Sequence, residues 1–293
     1  MSFNEKYNKI KQLAQKELDL IEEKMVSDIN IREPLQTSVV EFLKAPSKHI
    51  RPLVSILYLK ACNEELTEKH LDVLTLVELV HNASLIHDDI IDESTIRRGR
   101  KTISAEFNNK LGVISGDYIL SIVLEKLTEI NNIKITKNFA KTIKQMTLGE
   151  INQNFDRFKI GTIEDYIEKT KNKTAYLFET ALVCPALLSQ NTYDIEKISE
   201  LGISIGTAFQ IRDDILNFTQ NDPLKPAKND IQDGIYTAPV ILGSESDNYN
   251  SGIEKTKVLL NNYIQSAKNI INNLPANSYK TVLEEFLELL KNV

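Results

Sequence analysis

Tryptophan is absent from this sequence of 293 residues, and cysteine, glycine and proline are scarce, with 2, 10 and 8 residues. Cys62 and Cys184 stand far apart in no metal-ligand spacing, so buried thiols are a better interpretation than a disulfide or a zinc site. The few glycines and prolines leave long stretches without a helix breaker, and strand-like alternation of apolar residues is uncommon. The sequence therefore favours a helical protein that relies on neither disulfides nor zinc.

A basic excess and a long apolar run are also missing. The formal net charge is −6, so a nucleic-acid backbone is not an expected partner, and any anionic ligand must be held by a few placed cations or metal ions. No apolar run approaches the roughly 20 residues that span a bilayer. The N-terminal segment is charged throughout and lacks the apolar core of a signal peptide. We therefore expect no transmembrane segment and a cytoplasmic location.

Apolar residues recur at helical spacing along most of the chain. The segment 71–92 contains neither glycine nor proline, and similar stretches occur at 53–61, 117–129, 133–153, 195–217 and 279–291. Breakers fall mostly between them, as at Gly112 to Gly116, and the polar segment from Ser244 to Gly252 is expected to be a surface loop. Because no segment has the composition of a linker, the sequence predicts a single all-α domain over residues 1–293 with a buried central pair of helices.

The most informative residues are three aspartates, Asp88, Asp89 and Asp92. Positions i, i+1 and i+4 of a helix lie on one side within about one turn, so the three carboxylates repel one another unless a cation intervenes. Carboxylates without accompanying cysteine or histidine ligands favour a hard cation such as Mg²⁺, which commonly bridges to substrate phosphates. The cluster therefore indicates a magnesium site for a phosphorylated ligand.

A second cluster, Asp213 and Asp214 followed by the weaker ligand Asn217, repeats this spacing. Either cluster alone could be a solvated acidic helix face, but both are embedded in apolar residues. Arg97 and Arg98 follow the first cluster directly. Two acidic clusters with isolated cations nearby fit a diphosphate that is clamped by metal ions.

Further candidates for the anion site are less specific. Lys48 and Arg51 are three residues apart and would point the same way on a helix, although ordinary surface charge explains each of them alone. His81 lies seven residues before Asp88, on about the same helical face. A histidine on an apolar stripe is as well explained by core packing as by ligand binding.

Several short motifs occur in one characteristic order: SKHIRP, SLIHDDIIDES with RRG, GDYIL, GEINQ, KTAYLF, FQIRDDILN and KPAKND. In this order, from about residue 48 to residue 239, the chain resembles the trans-isoprenyl (polyprenyl) diphosphate synthases of medium- to long-chain type. The resemblance implies an isoprenoid-synthase-like helical bundle with a central cavity, at whose mouth the two acidic motifs face each other. The implied reaction adds isopentenyl diphosphate to an allylic diphosphate and makes an all-trans polyprenyl diphosphate.

The resemblance also implies a role for each matching residue. About three Mg²⁺ ions would be held by five aspartates, namely Asp88, Asp89, Asp92, Asp213 and Asp214. The allylic diphosphate would be contacted by Arg97, Lys173 and Lys225. Isopentenyl diphosphate would be bound by Lys48, Arg51, His81 and Arg98. The reacting carbons would be lined by Thr174 and Gln210.

Four departures from the family pattern bear on activity. Asn217 stands where a third aspartate is usual. Ser47 and the residue before it replace glycines, and His49 replaces an arginine. Ile235 replaces a lysine, and Lys228 replaces a glycine. These departures leave open a subunit of a heteromeric prenyl synthase with little activity of its own. A terpene cyclase on a similar fold is another alternative, although it would not need the cations expected to bind isopentenyl diphosphate. The resemblance otherwise favours a homodimer.

The residues before the first acidic cluster bear on product length. At 1.5 Å of rise per residue, Ala83 and Ser84 lie about 6–8 Å below Asp88. In relatives that make short products, a bulky aromatic side chain near this point blocks the growing chain. Because Ala83 and Ser84 are small, we expect the tunnel to continue past them, with Val80 and Leu76 as candidates for its floor.

Overall fold

The computed structural model describes residues 3–219, 231, 233–244 and 249–293. In the first half, the helices are α1 Phe3–Gln12, α2 Gln15–Ser27, α3 Leu35–Leu43, α4 Ile50–Ala61, α5 Glu68–Ile91, α6 Ile103–Glu106 and α7 Asn109–Ile130. In the second half, they are α8 Ile133–Phe155, α9 Ile163–Thr170, α10 Tyr176–Ala186, α11 Ile195–Thr219, α12 Ala238–Gly243, α13 Tyr249–Ile271 and α14 Ser278–Leu290. A π-helical segment, Lys171–Ala175, joins α9 to α10, and a short hairpin is formed by β1 Ile96–Arg97 and β2 Arg100–Lys101.

The predicted all-α fold is confirmed, and helix α5 lies at its centre. This helix packs against α2, α4, α7 and α10, and its apolar residues face all sides, as expected for a helix that is buried all round. A capping box formed by Thr67 and His70 satisfies backbone groups at its first turn. Helix α11 packs against α10 and α13. The two helices that carry the acidic clusters are thus both held from several sides.

The structure overturns the predicted helix break between Gly112 and Gly116, because α7 continues through both residues. A Cβ atom added to Gly116 would collide with the imidazole ring of His87 on α5. This glycine therefore allows two helices to approach closely instead of ending one of them. The predicted surface loop is also too long, since α13 already begins at Tyr249, whereas residues 245–248 lie outside the described residues.

One continuous cluster of buried apolar side chains extends from α1 to α14. Its fully buried large members include Phe139, Phe178 and Phe286. In the described part of the chain, no helix is both long enough and apolar enough to cross a membrane.

Candidate functional site

The first acidic cluster lies at the C-terminal end of α5. Asp88 and Asp89 belong to its last turn, and the backbone N–H of the C-cap residue Asp92 donates to the carbonyl oxygen of Asp88 at 2.8 Å. Asp89 is buried, Asp88 is half-buried and Asp92 is exposed. Because a helix C-terminus carries a partial negative charge, three carboxylates at this end are electrostatically unfavourable without a nearby cation.

The pKa values of this cluster express that unfavourable environment. Burial raises the pKa of Asp88 to about 6; Lys173 opposes the rise, and Glu150 and Asp92 add to it. Partial desolvation also raises the pKa of Asp92, which Glu150 raises further and which Lys173 and Arg157 lower. The ionised carboxylates are therefore under-compensated by the protein, and a bound cation would stabilise them.

A tight hairpin brings an arginine back to this cluster. The two-residue turn between β1 and β2, Arg98 and Gly99, has positive φ angles of 51° and 76°. Positive φ at both residues is typical of the type I′ turns that are common in two-residue hairpin loops. The Nε of Arg97 consequently donates to Oδ1 of Asp89 at 2.6 Å. The other oxygen, Oδ2 of Asp89, is buried and accepts no hydrogen bond from any described residue.

Lys173 lies in the π-helical segment, and its Nζ is 2.6 Å from Oε2 of Glu150 on α8. Single π-helical turns are frequent at functional sites. Glu150 belongs to the GEINQ motif, but sequence reasoning gave it no role. The structure places it beside Asp88, so this part of the site contains a further carboxylate.

The second acidic cluster is anchored by a chain of hydrogen bonds. The hydroxyl of Tyr166 donates to Oδ2 of Asp214 at 2.6 Å, and Nε2 of Gln210 donates to Oδ1 at 2.9 Å. The hydroxyl of Thr174 in turn donates to Oε1 of Gln210 at 2.8 Å. Thr174 directly follows Lys173, so the π-helical segment connects the two acidic clusters. Tyr166 is a residue that sequence reasoning missed, because its contacts are remote along the chain.

A third group contains the cations expected to bind isopentenyl diphosphate. The guanidinium of Arg51 lies over the ring of Phe178 at 4.9 Å from the centroid, and its Nε is buried without a hydrogen-bond partner among the described residues. Burial lowers the pKa of His81 well below its usual value, and the charges of Arg51 and Arg98 lower it further. His81 is therefore a neutral ring close to these arginines.

His49, one of the departures from the family pattern, is buried and has a positive φ of 51°. Its Nδ1 is 2.7 Å from Oε2 of the buried Glu78, and its Nε2 is 2.8 Å from Oε1 of Glu22. The ring thus links α2 and α5 at the start of α4. Lys48, next to it, is exposed and its Nζ lies over the ring of Phe3, 5.2 Å from the centroid.

A cavity of about 460 Å³ opens beside the first acidic cluster. Its polar lining includes Asp88, Glu150 and Lys173, and apolar residues of α5, α7 and α8 line the rest, among them Val80, Leu120, Ile143 and Met146. Ser84 lines the cavity, as its expected role in product length requires. Ala83 is fully buried, and neither Ala83 nor Leu76 is among the described lining residues.

Lys225 and Lys228 lie outside the described residues. Within the described ranges, no three Asp, Glu, His or Cys side chains converge into a ready-made metal site. In proteins that handle phosphates, Mg²⁺ is typically held by one or two carboxylates together with substrate oxygens. The all-oxygen donor sets of both clusters, including the orphaned Oδ2 of Asp89, fit such an ion.

The family of the chain follows from its similarity to known proteins. A family model described as polyprenyl synthetase matches residues 32–274. The chain belongs to this family. The predicted resemblance is thereby confirmed, as is the enzyme class of trans-polyprenyl diphosphate synthases.

Individual members of the polyprenyl synthetase family align over most of the chain. A prenyl transferase from Cyanophora paradoxa is 32% identical and covers 92% of this chain and 94% of its own length. Heptaprenyl diphosphate synthase component 2 from Geobacillus stearothermophilus is 31% identical, with 86% and 88% covered. The crystal structure of heptaprenyl diphosphate synthase from Staphylococcus aureus superposes with a TM-score of 0.88 at 25% identity, covering 95% of this chain and 98% of that chain.

Proposed function

We propose that this polyprenyl synthetase condenses isopentenyl diphosphate with an allylic diphosphate and extends it to a medium- to long-chain all-trans polyprenyl diphosphate. The observation that carries the proposal is an apolar cavity with Asp88, Glu150 and Lys173 in its lining. The charged part of the lining suits the diphosphate group, and the apolar part suits a growing hydrocarbon chain. Two similar proteins named heptaprenyl diphosphate synthases, one of them as a component, support a product of this length.

Magnesium would be held by Asp88, Asp89 and Asp92 on one side and by Asp213 and Asp214 on the other. When bound, Mg²⁺ supplies positive charge that stabilises the departing diphosphate; we propose about three ions per site. Both oxygens of Asp214 already accept hydrogen bonds from Tyr166 and Gln210. We therefore expect these two donors to fix the orientation of the Asp214 carboxylate before a metal ion binds.

The chain's own residues account for the remaining steps. Lys173 and Arg97 would stabilise the negative charge that develops as the allylic carbon–oxygen bond breaks. The apolar cavity excludes water from the resulting allylic cation. Thr174 and Gln210, fixed by their mutual hydrogen bond, would line the reacting carbons. The double bond of isopentenyl diphosphate then forms the new carbon–carbon bond, and a proton leaves to the released diphosphate.

Isopentenyl diphosphate would be bound by Lys48, Arg51, His81 and Arg98. Arg51 and Arg98 keep their charge, and neutral His81 can donate one hydrogen bond. Buried Glu78 acts electrostatically on both arginines. This carboxylate would hold the two cations in place before the diphosphate arrives.

A second candidate function is that of a catalytic subunit which needs a partner. It is favoured by the similarity to a protein named as component 2 of a heptaprenyl diphosphate synthase. A homodimer and a cytoplasmic location remain predictions from the sequence.

Product analysis of the single purified protein tests these alternatives. The protein is incubated with Mg²⁺, radiolabelled isopentenyl diphosphate and geranyl, farnesyl or geranylgeranyl diphosphate, and the dephosphorylated products are separated by length. We expect medium- or long-chain products, which Asp92→Asn should abolish and the exposed-site control Asp19→Asn should not change. Folded protein that forms no product with any primer would contradict an autonomous synthase and favour the partner-dependent subunit.

A further inference from the structure

Ile235 occupies a position at which the family resemblance implies a lysine near the metal-bound diphosphate. In the structure, the segment around Ile235 is joined to the loop that follows α8. The backbone N–H of Phe158 donates to the carbonyl oxygen of Gly234 at 2.8 Å. Gly234 has a φ of 73°, and a Cβ atom there would lie 2.7 Å from the Phe158 ring. The two segments are therefore in tight contact, which brings the residues of the first loop close to position 235.

That loop contributes a cation, Arg157, which sequence reasoning did not single out. Its side chain is half-buried, and its charge acts on the carboxylate of Asp92. Its Nε is buried without a hydrogen-bond partner among the residues that the structure describes. Lys159, two residues further on, differs in both respects: it is exposed, and its Nζ donates to the carbonyl oxygen of Phe155 at 2.9 Å.

A buried guanidinium nitrogen without an acceptor is unfavourable, because the group has lost water and gained nothing in exchange. No salt bridge to Arg157 occurs within the described ranges, although Asp92 is near enough to interact electrostatically. The planar fork of a guanidinium matches phosphate oxygens with two parallel hydrogen bonds. An anion arriving between the acidic cluster and this loop would supply an acceptor for this nitrogen.

We propose that Arg157 contacts the allylic diphosphate and supplies the positive charge that Ile235 does not. The proposal rests on the proposed function for the identity of the anion, and it extends the diphosphate site by a residue from a separate loop. The site would then keep its number of cations while one of them comes from a different part of the chain.

The first test removes the charge of Arg157 and keeps most of the length of its side chain. Arg157→Met should weaken binding of inorganic diphosphate in the presence of Mg²⁺, measured by titration calorimetry, about tenfold. The KM for farnesyl diphosphate should rise by a similar factor, and the KM for isopentenyl diphosphate should stay within about twofold of its original value. Lys159→Met is the matched control and should change none of these values. Unchanged diphosphate affinity in Arg157→Met would overturn the proposal.

The second test moves the charge to the position that the family pattern indicates. Adding Ile235→Lys to Arg157→Met should restore most of the lost diphosphate affinity, and a folded double variant without any recovery would refute the compensation. If thermal unfolding shows that Arg157→Met is not folded, Arg157→Lys takes its place and should retain measurable diphosphate affinity. Complete loss of diphosphate affinity in Arg157→Lys would contradict a role for the charge. Wild-type protein that binds inorganic diphosphate through Arg157 but forms no product would refute the proposed function alone.

Discussion

Replacing Asp88 with asparagine should stabilise the metal-free protein and abolish its catalysis. The carboxyl group of Asp88 is half-buried at the C-terminal end of α5 and lies close to Asp92 and Glu150. Its pKa is raised from 3.8 to about 6, mainly by burial. The ionised form is thus disfavoured in the folded protein relative to the unfolded chain. Asparagine keeps the shape of the side chain and removes the charge.

The magnitude follows from the raised pKa. A tenfold change in proton affinity corresponds to about 1.4 kcal/mol, so a rise from 3.8 to about 6 costs at most roughly 3 kcal/mol of unfolding free energy above pH 6. Because the side chain is partly accessible to water, about 2 kcal/mol is a better expectation. For a carboxyl group with a raised pKa, the penalty is absent below pH 4 and grows as the pH rises towards and past 6.

Urea unfolding in the presence of EDTA, at pH 5 and at pH 7.5, measures this effect. The advantage of Asp88→Asn over the wild type should grow by roughly 1 kcal/mol between the two pH values. Asp19→Asn, at an exposed site on α2, serves as the control and should show no such growth. A stability difference that is independent of pH, or that shrinks as the pH rises, would refute the reasoning.

Four further substitutions test other parts of the site. Ser84→Tyr should shorten the product because Ser84 lines the cavity, whereas Ala83→Tyr should mainly lower stability by about 1–3 kcal/mol through overpacking. Product chromatography and urea unfolding distinguish the two effects. An unchanged product length in Ser84→Tyr would exclude this cavity as the path of the growing product chain. Tyr166→Phe removes one donor to Asp214 and should raise the Mg²⁺ concentration for half-maximal activity about tenfold; an unaltered Mg²⁺ dependence would mean that the hydroxyl is only structural. Glu78→Gln should raise the KM for isopentenyl diphosphate about tenfold and that for the allylic substrate much less, and equal changes in both would contradict its assignment to one subsite.

The helical spacing of Asp88, Asp89 and Asp92 was sufficient to predict that they lie close together on one side of a helix. Such local patterns depend only on the periodicity of the backbone. The same holds for the long helices, because their apolar residues repeat over many turns. The Gly112 to Gly116 segment was misjudged for the opposite reason: its helical state depends on the packing of α7 against α5, which a local preference for breaks does not include.

The contacts that the sequence did not predict join residues that are far apart along the chain. Tyr166 reaches Asp214 across 48 positions, and Arg157 acts on Asp92 from a loop that carries no helical pattern. Nothing in the spacing of these residues indicates proximity. A buried aromatic hydroxyl and a buried guanidinium nitrogen nevertheless require polar partners, so their proximity to the acidic clusters is understandable once the fold is known.

The departures from the family pattern acquire a different meaning in the structure. His49 replaces an arginine, but its ring is held between Glu22 and Glu78, so this position serves the junction of α2, α4 and α5. Ile235 removes a cation at a place where we propose that Arg157 supplies one from a neighbouring loop. A substitution that is compensated by a nearby residue indicates a rearranged set of contacts. In a protein that had lost catalysis, no such compensation would be expected. The contacts at these two positions therefore favour a functional active site, whether or not a second subunit is needed to complete the enzyme.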